Sequence, residues 1–349
     1  MKHEIRQLID RLEAEKQLKE QEYLWLIQNR DSEAAAYLAE RADWVRRQVY
    51  GTDIYIRGLI EVGNICRNDC YYCGIRRSNG KCERYRLTLE QVLDCCREGY
   101  ALGFRTFVLQ GGEDPYFSAE RIGEWVYAIK KMFPDCAITL SLGEYSKEEY
   151  RLMRQAGADR YLLRHETADK GHYQRLHPPS MSFDHRIGCL YDLRELGFQV
   201  GCGFMVGSPY QTEEFLAKDL KWIESFSPEM CGIGPFLPQK DTPFGCMMAG
   251  TAELTVFLLS VIRLIKPNIL LPATTALGTA CEDGRIQGIL AGANVIMPNL
   301  SPLSERRKYA LYDNKISTGL ESAQNLADLK SKIDGIGYHI VSARGDILQ

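Results

Sequence analysis

The chain has 349 residues, 45% of them hydrophobic and 26% charged, with a formal net charge of −3. This is the composition of a folded globular protein and excludes a long disordered chain. The near-balanced charge argues against a nucleic-acid or membrane partner, and no apolar run approaches the roughly 20 residues that span a bilayer. Twelve cysteines are scattered along the chain, and Met1-Lys-His-Glu-Ile-Arg6 has no apolar signal core. A reducing, cytoplasmic setting with unpaired thiols is expected.

Residues 3–48 are rich in Glu, Lys, Leu, Ala and Arg. Apolar residues recur there at helical spacing: Ile5, Leu8, Ile9 and Leu12, then Tyr23, Leu24, Leu26 and Ile27. Two or three helices are expected, an N-terminal helical cap over 1–50. From residue 54 short apolar runs alternate with amphipathic stretches. The runs are 54–62, 106–109, 137–142, 160–165, 199–206, 230–237, 269–273 and 294–298, eight in all. Helix signals lie between them. Thr88-Leu-Glu-Gln91 resembles a capping box, and Ser118, Ser146, Ser182 and Thr212 each stand near a helix start. Gly103, Gly157, Gly197 and Gly292 stand near helix ends. Alternating strand and helix argues for a parallel α/β sheet. Eight units argue for a complete (β/α)8 TIM-type barrel over 51–310, with a C-terminal extension over 311–349. An open α/β sheet is the alternative.

Barrel enzymes place their chemistry at the carboxyl ends of the strands. The first run leads directly into Asn64-Ile-Cys-Arg-Asn-Asp-Cys-Tyr-Tyr-Cys-Gly74, which spaces Cys66, Cys70 and Cys73 as C-x3-C-x2-C. Three close thiolates can hold three irons of a 4Fe–4S cluster, and no fourth cysteine follows at a matching spacing. Clusters usually have four cysteines, so a triad leaves one iron open and points to catalysis. Zinc is the alternative, but it wants four ligands, and no histidine is close in sequence.

Gln110-Gly-Gly-Glu-Asp114 follows the second run. Gly111 and Gly112 let backbone approach a ligand closely, and Glu113 can accept from an ammonium group. The plainer reading is a strand-to-helix turn with a solvated acidic pair. In Arg160-Tyr-Leu-Leu-Arg-His-Glu-Thr167, Arg164 and Glu166 are two apart and share one side of the strand. They are either a mutually neutralising pair or a grip for a zwitterionic ligand. His165 points the other way and reads as a satisfied strand-edge histidine. Ser141-Leu-Gly-Glu144, Thr274, Thr275 and Met297-Pro-Asn299 fall at other strand ends. Threonine is also simply a good strand residue, and Arg186 by itself reads as an exposed helix arginine.

The cysteine spacing, with Tyr72 before the last cysteine, resembles the motif of the radical S-adenosylmethionine superfamily. That resemblance implies that S-adenosylmethionine chelates the open iron and is cleaved reductively to a 5′-deoxyadenosyl radical. From about residue 45 to about 310 the chain resembles the HydE family of FeFe-hydrogenase maturases. The similarity rests on Arg84-Tyr-Arg-Leu-Thr88, Leu109-Gln-Gly-Gly-Glu-Asp-Pro-Tyr116, Thr139-Leu-Ser-Leu-Gly-Glu144, the run from Arg160 to Ala168, Val206-Gly-Ser-Pro209, Gly232-Ile-Gly-Pro-Phe236, Pro272-Ala-Thr-Thr-Ala276 and Gly292-Ala-Asn-Val-Ile-Met-Pro-Asn299. It implies that Cys66, Cys70 and Cys73 hold the cluster. It places Gln110, Gly111, Gly112, Glu113, Glu166 and Arg186 at S-adenosylmethionine. It places Thr139, Ser141, Arg164, Thr274, Thr275 and Met297 around a substrate cavity.

The implied chemistry is radical attack on the sulfur of a cysteine-bound iron carbonyl cyanide precursor. The implied partners are other hydrogenase maturases and a reductant protein. Some members of the family carry a second cluster near the C-terminus. Here no cysteine follows Cys281, and Asp313-Asn-Lys-Ile-Ser-Thr-Gly319 has none, so one 4Fe–4S cluster is expected. The rival readings are a methylornithine synthase-like radical mutase acting on lysine, and a non-enzymatic iron–sulfur scaffold.

Overall fold

The computed structural model describes residues 3–316 and 321–348. Residues 317–319 of the cysteine-free segment lie outside the described residues. Three helices come first: α1 (His3–Glu15), α2 (Glu20–Gln28) and α3 (Ser32–Tyr50). Ile5, Ile9 and Leu12 make the buried stripe of α1, and the Asp31 carboxylate caps α3 by accepting from Ala34 N at 2.7 Å.

Strands and helices then alternate. The order is β1 (Asp53–Ile56), β2 (Gly58–Gly63), α4 (Leu89–Ala101), β3 (Thr106–Gly111), α5 (Ala119–Met132), β4 (Ala137–Ser141), α6 (Lys147–Gln155) and β5 (Arg160–Leu162). Next come α7 (Lys170–Leu176), α8 (Phe183–Glu195), β6 (Gln199–Cys202), β7 (Met205–Val206), α9 (Glu213–Phe226), β8 (Met230–Cys231), β9 (Gly234–Pro235) and α10 (Ala252–Ile265). The chain continues through α11 (Thr275–Ala280), α12 (Gly284–Leu290), β10 (Val295–Ile296), α13 (Leu303–Arg306), α14 (Leu326–Asp334) and β11 (His339–Val341). The N-terminal helices brace this body, α2 against α9 and α3 against α10. No helix among the described residues is long and apolar enough to cross a membrane.

The expected helix starts form as read. Thr88, Ser118, Ser146, Ser182 and Thr212 each accept a backbone N–H three residues on. The capping box at Thr88 and Gln91 closes in both directions.

All strand pairs are parallel. The main sheet has the order β2-β3-β4-β5-β6-β8, beside a three-stranded sheet β10-β1-β11 and the pair β7-β9. The ladders of the described residues thus form a parallel α/β sheet, as expected, and by themselves they do not close into a ring. Two expected strands are too short to carry a ladder. Residues 269–273 contribute only single parallel bridges, Met230 to Leu270 and Pro272 to Val295, and Leu59 meets Asn299 in another. Pro272 has no N–H to donate to a ladder. The run 199–206 breaks at Gly203 (φ +153), where a Cβ would lie 2.0 Å from Gly232 O.

The amino ends of the strands are sealed by the C-terminal segment. β11 pairs with β1. The fully buried Arg160 donates to Thr106 Oγ1 at 3.0 Å and to Arg344 O at 2.9 Å, and pairs with Asp346. Arg344 Nε reaches Asp346 at 2.8 Å. Burial alone would raise the Asp346 pKa, but Arg344 and Arg160 outweigh it and hold it at about 2. An unfolded aspartate titrates near 3.9. The contribution of Asp346 is thus complete above pH ~4 and lost as pH falls through about 2. Asp346→Asn should lower the urea midpoint at pH 7, and the gap from wild type should narrow as pH drops below ~4.

Candidate active site

The carboxyl ends of the strands open into one cavity of about 340 Å³. Cys66, Cys70 and Cys73 line it, and all three are free thiols. Their loop is fixed by groups outside it. Arg84 Nη1 donates to Asn64 O at 2.6 Å and Ile75 O at 2.8 Å, and its Nη2 donates to Arg76 O at 2.6 Å and Asn79 O at 3.2 Å. The Asn64 amide donates to Glu83 O and Lys308 O, both at 2.8 Å, while its oxygen accepts from Tyr85 N. Arg67 N donates to Glu113 O at 2.8 Å, joining the cysteine loop to the glycine pair.

The approach there is close. A Cβ on Gly112 would lie 2.2 Å from Ile65 O and 2.8 Å from Cys66 Cβ. Burial pushes the Cys70 thiol well above its usual range, and Cys73 and Cys66 push it further. Burial and Cys66 push Cys73 up to about 12. The bare loop therefore holds thiols, and a bound metal must displace their protons. No three His, Cys, Asp or Glu converge on a single ion position among the described residues. A cluster instead gives each thiolate its own iron, and three unpaired thiols on one cavity wall suit it.

Next to the triad lies a chain of charges. Arg186 Nε sits 2.6 Å from Glu144 Oε1, and its Nη2 sits 3.5 Å from Glu113 Oε1. Burial works against the Arg186 charge, but Glu144, Tyr173 and Glu113 outweigh it and keep the pKa high. Arg186 is thus buried and faces the cavity, not solvent. Arg164 Nη2 stands 3.3 Å from Glu166 Oε2 on the same wall. Beyond this ion pair neither atom has a hydrogen-bond partner, and buried Thr139 Oγ1 has none. Glu166 also holds φ +65, a left-handed conformation unusual for a side-chain-bearing residue. Unsatisfied buried polar atoms and local strain are typical of a site shaped for a ligand. With the thiol triad, this donor and acceptor set fits a cluster and a zwitterionic cofactor.

Gln110, Gly111, Gly112, Glu113, Thr139, Ser141, Thr274 and Met297 also line the cavity. Thr275 is not among the lining residues. Thr274 caps α11 through its hydroxyl, so Thr275 starts the helix and turns away, donating to Glu321 at 2.8 Å. His165 stays outside the cavity as read, with Gly203 N donating to its Nδ1 and its Nε2 3.4 Å from Asp219.

Several contacts at the site were not legible in the sequence. Glu144 ended a noted run, yet only the fold brings it to Arg186. Tyr72 OH lies 3.1 Å from His177 Nε2. Buried Arg57 sits at the cavity base with Nη1 2.8 Å from Met230 Sδ. Burial, with Arg160 nearby, holds its pKa well below the usual arginine range. Tyr309 accepts from Gln110 at 3.4 Å, and Lys315 pairs with the fully buried Glu61. An Arg inside an apolar strand run was the one signal available for Arg57.

A model of the Radical SAM superfamily matches residues 60–223. The FeFe hydrogenase maturase subunit HydE of Thermotoga maritima is 45% identical over 279 residues, 80% of this chain and 79% of that protein. The 3-methylornithine synthase of Methanosarcina acetivorans is 28% identical over 295 residues, 84% and 82% of the two chains. The crystal structure of methylornithine synthase (PylB) superposes with a TM-score of 0.84 and 26% identity over 96% of this chain and 97% of that one. Fold, cysteine triad and these matches define a radical S-adenosylmethionine enzyme, whose cofactors are a 4Fe–4S cluster and S-adenosylmethionine. Within that superfamily the chain belongs to the HydE family.

Two substitutions test the geometry. Gly112→Ala should cost ~1–3 kcal/mol of overpacking against the cysteine loop and lower the iron bound per chain after reconstitution. Thr139→Val removes an unsatisfied hydroxyl at nearly constant shape. It should raise stability by about 1 kcal/mol while lowering turnover, read by denaturant unfolding and product assay.

Proposed function

We propose that this enzyme matures the FeFe-hydrogenase active-site cofactor, acting on the sulfur of a cysteine-bound iron carbonyl cyanide precursor delivered by another maturase. The supporting observation is one cavity shared by three thiols, the Arg164–Glu166 ion pair and the Thr139 hydroxyl, which lacks a hydrogen-bond partner. The chain's 45% identity to the Thermotoga maritima HydE protein, against 28% to the 3-methylornithine synthase of Methanosarcina acetivorans, favours this substrate class.

When bound, the cluster and S-adenosylmethionine supply the 5′-deoxyadenosyl radical. The chain's residues bind, orient and shield. Cys66, Cys70 and Cys73 hold the cluster. Glu113 and Glu166 accept from the ammonium group of the cofactor, and Gln110, Gly111, Gly112 and Arg186 shape its place. Ser141, Thr139, Thr274 and Met297 surround the substrate, with Arg164 suited to a planar carboxylate. We assign 1–50 to a bracing helical cap and 311–349 to an extension whose last part, from His339 onward, closes the floor. The body, 51–310, acts as a complete (β/α)8 barrel, its ring completed through the single bridges at residues 270, 272 and 299. Such enclosure keeps water from reactive intermediates. The cytoplasm supplies the reducing conditions that the thiols need.

Anaerobic, reduced, reconstituted protein should cleave S-adenosylmethionine to 5′-deoxyadenosine with about four irons per chain. Cys70→Ala should abolish cleavage. In a host lacking its own maturase the gene should restore hydrogenase activity. Failure with cluster-loaded, folded protein would favour lysine rearrangement instead.

A further inference from the structure

Tyr72 stands between Cys70 and Cys73 in the chain, lines the cavity, and has its hydroxyl oxygen 3.1 Å from His177 Nε2. His177 is buried and is not among the lining residues, so it stands behind the cavity wall. It closes α7. Its backbone N–H donates to Tyr173 O at 3.1 Å, and its ring Nδ1 lies 2.9 Å from the same oxygen. The His177 ring stacks on Tyr173 with centroids 3.9 Å apart and meets the Tyr72 ring edge-on. Tyr71 N donates to Leu176 O at 3.0 Å, so the end of α7 and the cysteine loop are also joined through their backbones. The partners fix the directions of these bonds. A carbonyl only accepts, so Nδ1 carries the ring proton. Burial outweighs the Tyr173 carbonyl and lowers the His177 pKa to about 3, so the ring is neutral at pH 7. Nε2 of that ring is an acceptor, and the Tyr72 O–H is the donor.

We propose that His177 is a positioning residue for the cofactor: it holds the Tyr72 hydroxyl proton away from the cavity and leaves Oη to accept from an N–H of bound S-adenosylmethionine. The proposal rests on the assignment of the site to a cluster and S-adenosylmethionine. Glu166, Cys70 and Cys73 all act electrostatically on Tyr72, and a freely rotating phenol would donate to one of them. With its proton committed to His177, Tyr72 offers lone pairs only, and the ligand must bring the hydrogen. S-Adenosylmethionine carries N–H groups at both ends, the ammonium group and the adenine amine. A hydroxyl oriented before the ligand arrives avoids part of the ordering cost of binding. No covalent bond is made or broken in this role.

The test titrates S-adenosylhomocysteine, which carries the same N–H groups, into cluster-loaded enzyme by anaerobic calorimetry. Tyr72→Phe and His177→Phe should each weaken binding about threefold to tenfold, the loss of one hydrogen bond. The double variant should bind no more weakly than Tyr72→Phe, because His177 acts only through the hydroxyl. His177→Leu takes its place in this cycle if His177→Phe does not fold. His177→Gln, whose side-chain carbonyl can accept the phenol proton, should recover most of the loss. In dithionite-driven cleavage the His177 variants should raise KM for S-adenosylmethionine and leave kcat and iron per chain unchanged. An equal loss with 5′-methylthioadenosine, which lacks the amino-acid half, assigns the contact to the adenine amine, and a loss confined to S-adenosylhomocysteine assigns it to the ammonium group. Unchanged binding by Tyr72→Phe overturns the proposal. So does a further loss in the double variant or a fall in iron per chain, since His177 would then support the cysteine loop itself. Absence of cleavage in the wild type is a separate result and would count against the cluster reading.

Discussion

Everything at the top of the strands depends on the Arg84 guanidinium. Its two terminal nitrogens reach four carbonyls, those of Asn64, Ile75, Arg76 and Asn79. A loop of this length has no internal ladder to satisfy its backbone, and buried unpaired carbonyls are costly. Arg84 supplies the missing donors from one rigid, planar group. The sequence between Cys66 and Cys73 is thereby free to present three sulfurs rather than to hold itself together. Asn64 adds a second clamp from the end of the first strand pair, and both clamps lie outside the cysteine motif. The motif supplies the three sulfurs, while Asn64 and Arg84 determine where they stand.

A second constraint couples the loop to the seam of the sheet. Glu61, fully buried, accepts from Asn299 Nδ2 at 3.0 Å, pairs with Lys315, and its backbone N–H donates to Ser301 Oγ at 2.8 Å. Lys315 also donates to Tyr309 O at 3.0 Å, and Leu311 O accepts from Gly74 N at 2.8 Å beside the last cysteine. One buried carboxylate thus ties β2, the stretch after β10 and the segment over the cysteine loop. Removing one partner of a buried ion pair leaves an uncompensated charge, which costs far more than the pair contributes. Where the ladder is weakest, at single bridges, side-chain polarity takes over the joining.

The sequence was most informative where local physics acts alone. Cysteine spacing, the capping residues Thr88, Ser118, Ser146, Ser182 and Thr212, and the parity that sets Arg164 and Glu166 apart from His165 all depend on near neighbours. It was less informative where long-range packing decides. The run at 54–62 reads as one strand, but it divides at Arg57 because β1 pairs with β10 and β11 while β2 pairs with β3. Thr274 and Thr275 look equivalent on paper. A helix starting between them sends one hydroxyl to the cavity and the other to Glu321. Arg186 shows the same limit in reverse. Its buried place between Glu113 and Glu144 follows from three separate elements, and resemblance to relatives, not spacing, pointed to it.

These features combine into a division of labour between faces. The floor is closed by ion pairs that need no ligand: Arg160, Arg344, Asp159 and Asp346 satisfy one another. The cavity wall is the opposite case. Thr139 Oγ1, Arg164 Nε and Glu166 Oε2 are buried without hydrogen bonds, although a few rotamer changes or an apolar residue would remove the cost. Beside three unpaired thiols, the same atoms are positioned to be completed by the polar groups of a bound ligand, which is how a wall that is poorly satisfied by its own chain can still be useful.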